Sequence, residues 1–430
     1  MLPNHSITTK SVAMSSPPRR QSDAPLRLLQ VFNQYLEPGG EEVWVNQMLR
    51  LGGEAFSIQD LRFHSGAWMG RGAPSRIKQA AMLWNHPRSR QRLRDEALAF
   101  QPDALLFHNL IPVASLGMYD EARELDLPVV QYIHNFRPFS PSGTMWLRGR
   151  VNAAALKGNP WPEVFSRAWE RSFFRTFLLA LYQKSLLRKG NLDVVKHWIA
   201  VSDFMRGKFI EGGIPAERVT TLRHCWQVSP TLDPIAEGKH YLFLGRLVPE
   251  KGISTLLDAW SLLEKSLGPA CPQLIIAGSG PEEARIHATA NGMKRVACVG
   301  FVSGVLKDDL IRSCRGLIAP SIWWEPLGLI VHEAYDAARP VLAARSGGLT
   351  ETVTEGVTGF LHDPGNAAQL ARDVERLEAL DQEARAEMGR NGRQWLIANA
   401  SPAEWRERFV AIIRKAVAAS PRRNLGTVNK

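Results

Sequence analysis

Cysteine is scarce in this chain: four residues in 430, Cys225, Cys271, Cys298 and Cys314, with no Cys-x-x-Cys pair. That spacing excludes a disulfide scaffold and a thiolate zinc site. Cys298 and Cys314 sit in apolar surroundings and read as reduced core thiols, which suits a reducing compartment. Long apolar runs are missing as well. The nearest candidate, "SFFRTFLLALYQKSLLRK", is broken by Arg175 and Lys184, so no run of about 18 apolar residues offers itself as a membrane span. The first 25 residues have no apolar segment of the kind that leads secretion; rich in Ser, Pro and Thr, they read as a disordered tail. Acidic residues are the minority, 42 against 53 Lys and Arg, for a formal charge of +11. A basic surface favours anionic partners. The basic residues are dispersed and no nucleic-acid-binding motif is present, so nucleic acid is not an expected partner.

What is there is an ordinary globular balance, 45% hydrophobic and 22% charged, in a chain long enough for two domains. Short apolar runs recur, each followed by a helical pattern. The first series has strands at 26–32, 104–109, 128–135 and 197–202; the second at 240–247, 273–280, 296–302, 316–321 and 340–346. Strand alternating with helix predicts parallel sheets covered on both faces, an α/β fold. Pro230, Pro234 and Gly238 punctuate a stretch without periodicity at 224–240, the expected linker. The expected organisation is therefore two Rossmann-like domains, 26–228 and 229–401, facing each other across a cleft, with tails at 1–25 and 419–430. Between 161 and 189 lies a helical insertion rich in aromatics and Arg. It reads either as an amphipathic pair covering the first domain or as a docking surface for an anionic membrane or lipid.

Two carboxylates stand out in "SIWWEPLGLIVHEA" (321–334), where Glu325 and Glu333 flank an apolar run. Pro326 fits the first turn of a helix, which puts Glu325 in the loop at a strand's carboxyl end and Glu333 about two turns into the helix. Free N–H groups of residues 327–329 between them favour an anion. Carboxylates for hydroxyls beside donors for phosphate describe a nucleotide-sugar site. "GRLVPEKGI" (245–253) adds Arg246 and Lys251 at another strand end, where two cations can clamp a diphosphate. "EPGGEE" (37–42) adds Gly39 and Gly40, a turn that lets backbone approach a ligand.

These segments resemble one family. "EPLGLIVHE" is similar to the Glu-x7-Glu motif of the retaining glycosyltransferases of the GT-B fold, family 4. "GRLVPEKGI", "AGSGPEEARI" (277–286), "VGFV" (299–302) and "SGGLTETVTEGVTGFL" (346–361) resemble further segments in the family's order. The likeness runs from residue 26 to about 418 and is denser in the second domain. It implies that Glu325 holds hydroxyls of the transferred sugar with backbone near Gly328 and Leu329, and that Glu333 binds the ribose. It implies that Arg246 and Lys251 neutralise the diphosphate with Gly40 approaching it, and that Gly280 and the backbone at Phe301 and Val302 flank the base. His134 matches a histidine that reaches the sugar from the first domain. A helix at 402–418 is implied to pack back on the first domain. Two departures are visible: Ser140 stands where relatives often carry cysteine, and "RHCWQVSP" replaces the usual Asn-Gly-Val-Asp linker.

The resemblance implies transfer of a sugar from a nucleotide-diphosphate donor, UDP or GDP type, to a hydroxyl acceptor with retention. The basic surface points to a lipid-linked saccharide at the inner leaflet of the cytoplasmic membrane, as in surface polysaccharide or glycolipid synthesis. No metal or other cofactor is expected, since protein cations neutralise the leaving group and "KDDL" (307–310) reads as an exposed helix face. A sugar-nucleotide epimerase and a non-catalytic nucleotide-sugar binder remain the alternatives.

Overall fold

Alternating apolar strands and amphipathic helices build two parallel six-stranded sheets in the computed structural model, which describes residues 24–36, 39–188, 192–230 and 237–420. The tails expected at 1–25 and 419–430 and the middle of the expected linker fall almost wholly outside the described residues. The first sheet contains β1 (Leu26–Gln34), β2 (Phe56–His64), β3 (Ala104–Phe107) and β4 (Val129–Ile133). A small antiparallel hairpin, β5 (Trp146–Leu147) and β6 (Arg150–Val151), precedes its last strands, β7 (Val195–Ala200) and β8 (Val219–Thr221). The second sheet contains β9 (His240–Leu244), β10 (Leu274–Ala277), β11 (Val296–Gly300), β12 (Cys314–Ala319), β13 (Val341–Ala344) and β14 (Gly359–His362).

Strand order is β2-β1-β3-β4-β7-β8 in the first sheet and β11-β10-β9-β12-β13-β14 in the second. Every residue of β3, β4 and β13 is buried, as expected of strands covered on both faces. The order reverses once in each sheet, between β1 and β3 and between β9 and β12. Such reversals open a crevice beyond the strands' carboxyl ends, because the flanking connections leave to opposite faces. The loops leaving those strands line one common cleft between the domains.

Among the described residues, several contacts join the domains. The loop after β12 sends Leu327, 3% exposed, into the first domain's core, and sets the Trp324 ring 5.7 Å from Phe136 and 5.5 Å from Phe204. Glu351, in the second domain, caps helix Asp203–Glu211 of the first: its carboxylate accepts from the N–H of Asp203 at 3.0 Å and of Phe204 at 2.6 Å. Arg223 bridges Glu351 and Asp203, at 2.6 Å from each. Finally helix Pro402–Ala418, capped by Ser401, buries Trp405, Phe409, Ile412, Ile413 and Ala416 in the first domain's core.

In the aromatic insertion, helices Trp161–Phe165 and Phe173–Leu186 bury Leu179, Ala180, Tyr182 and Leu186. Phe165, Phe173 and Phe174 stay exposed. No described helix is long and apolar enough to cross a membrane.

Candidate active site

The segment that carries both carboxylates folds differently from the sequence reading at one point. The helix begins at Leu329, not at Pro326, and runs to Asp336. Gly328 precedes it with φ +83, a left-handed conformation that cannot continue a right-handed helix and that favours glycine. The residues before it are pinned as a loop by the Gly348 N–H donating to the Glu325 carbonyl at 2.8 Å. Glu333 therefore lies just over one turn into the helix rather than two. The N–H groups of the helix's free first turn start at Leu329, later than the 327–329 expected.

All the residues given a role in donor binding or catalysis from the sequence line one cleft of 2140 Å³: Gly40 and His134 from the first domain, and Arg246, Lys251, Gly280, Phe301, Val302, Glu325, Gly328, Leu329 and Glu333 from the second. Arg246 and Lys251 leave β9, and Glu325 leaves β12, so they flank the strand reversal of the second sheet. Gly40, first residue of helix Gly40–Met48, faces Leu329 so closely that a Cβ there lies 3.3 Å from its Cδ1. Gly280 has φ +155, and a Cβ on it meets the Leu247 carbonyl oxygen at 2.6 Å. The loop after β10 thus packs directly on the loop that carries Arg246. Val302 is buried, whereas the Phe301 side chain is 74% exposed at the cleft.

The charged groups are partnered with one another. Glu325, 7% exposed, accepts from Lys251 Nζ at 2.7 Å, Ser321 Oγ at 2.8 Å and Trp323 Nε1 at 3.0 Å, all on Oε2. Burial pushes its carboxyl up, but the Lys251 charge and these three hydrogen bonds outweigh burial and hold it below the ordinary value. Glu333 pairs with Lys307 at 2.8 Å. That corrects the reading of "KDDL" as a merely exposed face: Asp308 and Asp309 are exposed, but Lys307 turns toward the cleft's carboxylate.

The first-domain wall holds groups the sequence reading passed over. Glu41 accepts from Tyr35 Oη at 3.0 Å, the Asn109 N–H at 3.1 Å and Asn135 Nδ2 at 3.3 Å. Burial pushes its carboxyl up to about 7, against those hydrogen bonds and the charge of Arg137, which pull it down. The His134 ring stacks on Tyr132 at 4.8 Å and its Nε2 lies 2.9 Å from Nδ1 of His108. Burial lowers its pKa to about 3. Ser140, where relatives often carry cysteine, is buried and donates to Glu163 at 2.7 Å. Among the described residues no group of three or more His, Cys, Asp or Glu is arranged to hold a metal ion. All four cysteines are free, and Cys298 is only half-buried, more open than its apolar surroundings implied.

Residues 232–395 match the family model of glycosyl transferases group 1. The second domain belongs to that family. Glycosyltransferases are also what the chain resembles among curated proteins. It is 27% identical over 246 residues to a phosphatidyl-myo-inositol mannosyltransferase of Mycobacterium leprae, covering 56% of this chain and 62% of that one. It is 32% identical over 173 residues to a GDP-mannose-dependent alpha-(1-6)-phosphatidylinositol monomannoside mannosyltransferase of Mycobacterium tuberculosis, covering 38% and 43%. Each match spans less than two thirds of the relative's own length. Among solved structures, HepE of Anabaena in complex with UDP superposes with a TM-score of 0.64 at 17% identity, over 90% of this chain and 100% of that one. Sucrose-phosphate synthase of Thermosynechococcus elongatus superposes with a TM-score of 0.67 at 17% identity, over 92% and 100%. Two facing parallel sheets with a cleft between them are the GT-B fold of these glycosyltransferases.

Proposed function

We propose that this protein moves a sugar from a nucleotide-diphosphate sugar to a hydroxyl acceptor, with retention at the anomeric carbon and without a metal ion. One observation carries the reading: two carboxylates, Glu325 and Glu333, and two cations, Arg246 and Lys251, meet at the strand reversal of the second sheet, with His134 and Gly40 facing them. Carboxylates accept from sugar and ribose hydroxyls; cations and a helix N-terminus receive the charge that grows on the departing diphosphate. Lys251 has three N–H donors and Glu325 engages one, leaving two for phosphate. No carboxylate is assigned as nucleophile; a phosphate oxygen of the donor takes the acceptor's proton while the new bond forms on the face the diphosphate leaves. A UDP or GDP donor is supported by the UDP complex of the structural neighbour and by the GDP-mannose dependence named for the mycobacterial relative.

The acceptor on this reading is anionic and amphipathic, a lipid-linked saccharide at a membrane surface. Arg167, Arg171 and Arg175, with Phe173 and Phe174, line the first-domain side of the same cleft, joining charge for a phosphate to apolar surface for a lipid. Vesicles with anionic lipid should retain the protein at low salt and release it as salt rises; no binding points to a soluble acceptor.

The deciding experiment incubates the protein with UDP- and GDP-sugars, with and without acceptor and with EDTA, and follows nucleoside diphosphate release and the anomeric configuration of the product. Acceptor-dependent release that resists EDTA and retains configuration is expected. Product that needs no acceptor indicates an epimerase, and no release from any donor overturns the reading.

A further inference from the structure

The core of the first domain contains a row of polar side chains that its packing does not require. Gln30 on β1 is fully buried and His108, just after β3, is 1% exposed. Burying such groups is unfavourable unless they are hydrogen-bonded, and here they bond one another in a line that ends at the cleft. Asp60 on β2, paired with Arg62, lies 2.9 Å from Nε2 of Gln30. The Oε1 of Gln30 lies 3.1 Å from Nε2 of His108, and Nδ1 of His108 lies 2.9 Å from Nε2 of His134.

The line has only one consistent set of protons. An ionised carboxylate accepts only, so the Gln30 amide nitrogen must face Asp60 and its oxygen must face His108. An amide oxygen also only accepts, so His108 carries its proton on Nε2. A neutral imidazole has a single N–H, which makes Nδ1 of His108 a lone pair and obliges His134 to donate from Nε2. Both rings are neutral: burial holds His108 well below the usual histidine range and His134 near 3. His134 is left with a bare Nδ1. That atom is buried without a hydrogen-bond partner, on a ring that lines the cleft.

We propose that Gln30 and His108 are positioning residues that fix His134 as the Nε2–H tautomer, so that a hydroxyl reaching its covered Nδ1 from the cleft meets an acceptor and not a donor. That the hydroxyl belongs to a transferred sugar rests on the function proposed above; the tautomer does not. Strands β1, β2 and β3 thus set the polarity of a side chain on a loop none of them touches in sequence.

The test is the side-chain 15N spectrum of histidine-labelled, ligand-free protein, with the His134 signals assigned by their loss in His134→Gln. Expected are a bare Nδ1 and a protonated Nε2 in the wild type. His108→Phe and Gln30→Leu should each turn His134 into a mixture of tautomers. His108→Asn, whose Oδ1 replaces Nδ1 as acceptor at the same distance from the backbone, should keep the wild-type form. In turnover, His108→Phe should lose roughly tenfold in kcat/KM for the donor, the worth of one hydrogen bond, and His108→Asn should recover most of it. A merely structural role would not be rescued in this pattern. A wild-type His134 with its proton on Nδ1, or a tautomer indifferent to both variants, overturns the proposal; the wild-type spectrum decides even where a variant fails to fold. A bare Nδ1 in a protein that releases no nucleotide from any donor supports the tautomer and overturns the sugar-transfer reading alone.

Discussion

Replacing Lys251 with methionine should destabilise the protein most at neutral pH and progressively less in acid. The Glu325 carboxylate is 7% exposed, and of its three donors only Lys251 carries charge. Removing one partner of a fully buried pair costs about 3–5 kcal/mol. Lys251 is itself 27% exposed, so water replaces part of what is lost, and about 2 kcal/mol is expected at pH 7. The sign with pH follows from Glu325. In the wild type its carboxyl is held below the unfolded value, so its contribution is present above that value and fades as pH falls through the folded one. Without Lys251 the burial that pushes the group up prevails, Glu325 takes a proton more readily, and the gap to the wild type closes in acid. Glu325→Gln in the Lys251→Met background should restore more than half of the loss, because the uncompensated charge is gone. Urea unfolding of the four proteins of this cycle at pH 7, repeated in acid, measures each value. Strict additivity of the two single variants, or a Lys251→Met deficit that grows toward acid, would refute the reasoning.

Other outcomes follow from the same cleft. Arg246→Ala should lower turnover by roughly 10²–10³ with the fold intact, the side chain being exposed; near-wild-type rates would remove it from the leaving-group grip. Glu333→Ala should mainly weaken nucleotide binding: a nucleotide at ~100 times its Kd adds about 2.7 kcal/mol to the wild type, and thermal shifts with UDP and GDP should show that gain vanish in the variant. Gly280→Ala should cost about 1–3 kcal/mol, because its φ of +155 and the Leu247 carbonyl leave no place for a Cβ. Equal urea midpoints for Gly280→Ala and the wild type would contradict this.

What the sequence revealed divides along a physical line. Central strands such as "ALLF" and "VLAA" are buried on both faces and appear as unbroken apolar runs. Besides the short hairpin β5–β6, the strands missing from the sequence reading are β2, β8 and β14, all at edges of the two large sheets. β2 carries Gln59, Asp60 and Arg62, and β8 is only three residues long, so neither announces itself by hydrophobicity. The pair Glu325 and Glu333 was legible because acids at the ends of an apolar run have no packing reason to be there. Lys307 was not, because its partner lies 26 positions away on another helix. His108 was hidden for the same reason: only the parallel register of β1 with β2 and β3 brings Asp60, Gln30 and His108 into line.

The Glu351 cap gives the two domains a shared account of helicity. A carboxylate at a helix N-terminus satisfies N–H groups that otherwise have no partner, and here the carboxylate and the helix belong to opposite lobes. Separating the lobes therefore hands those two N–H groups to water, while Ser202 Oγ keeps its hold on the Met205 N–H, and closing the lobes returns them to the carboxylate. In mechanical terms the molecule has a latch whose catch is a pair of backbone N–H groups.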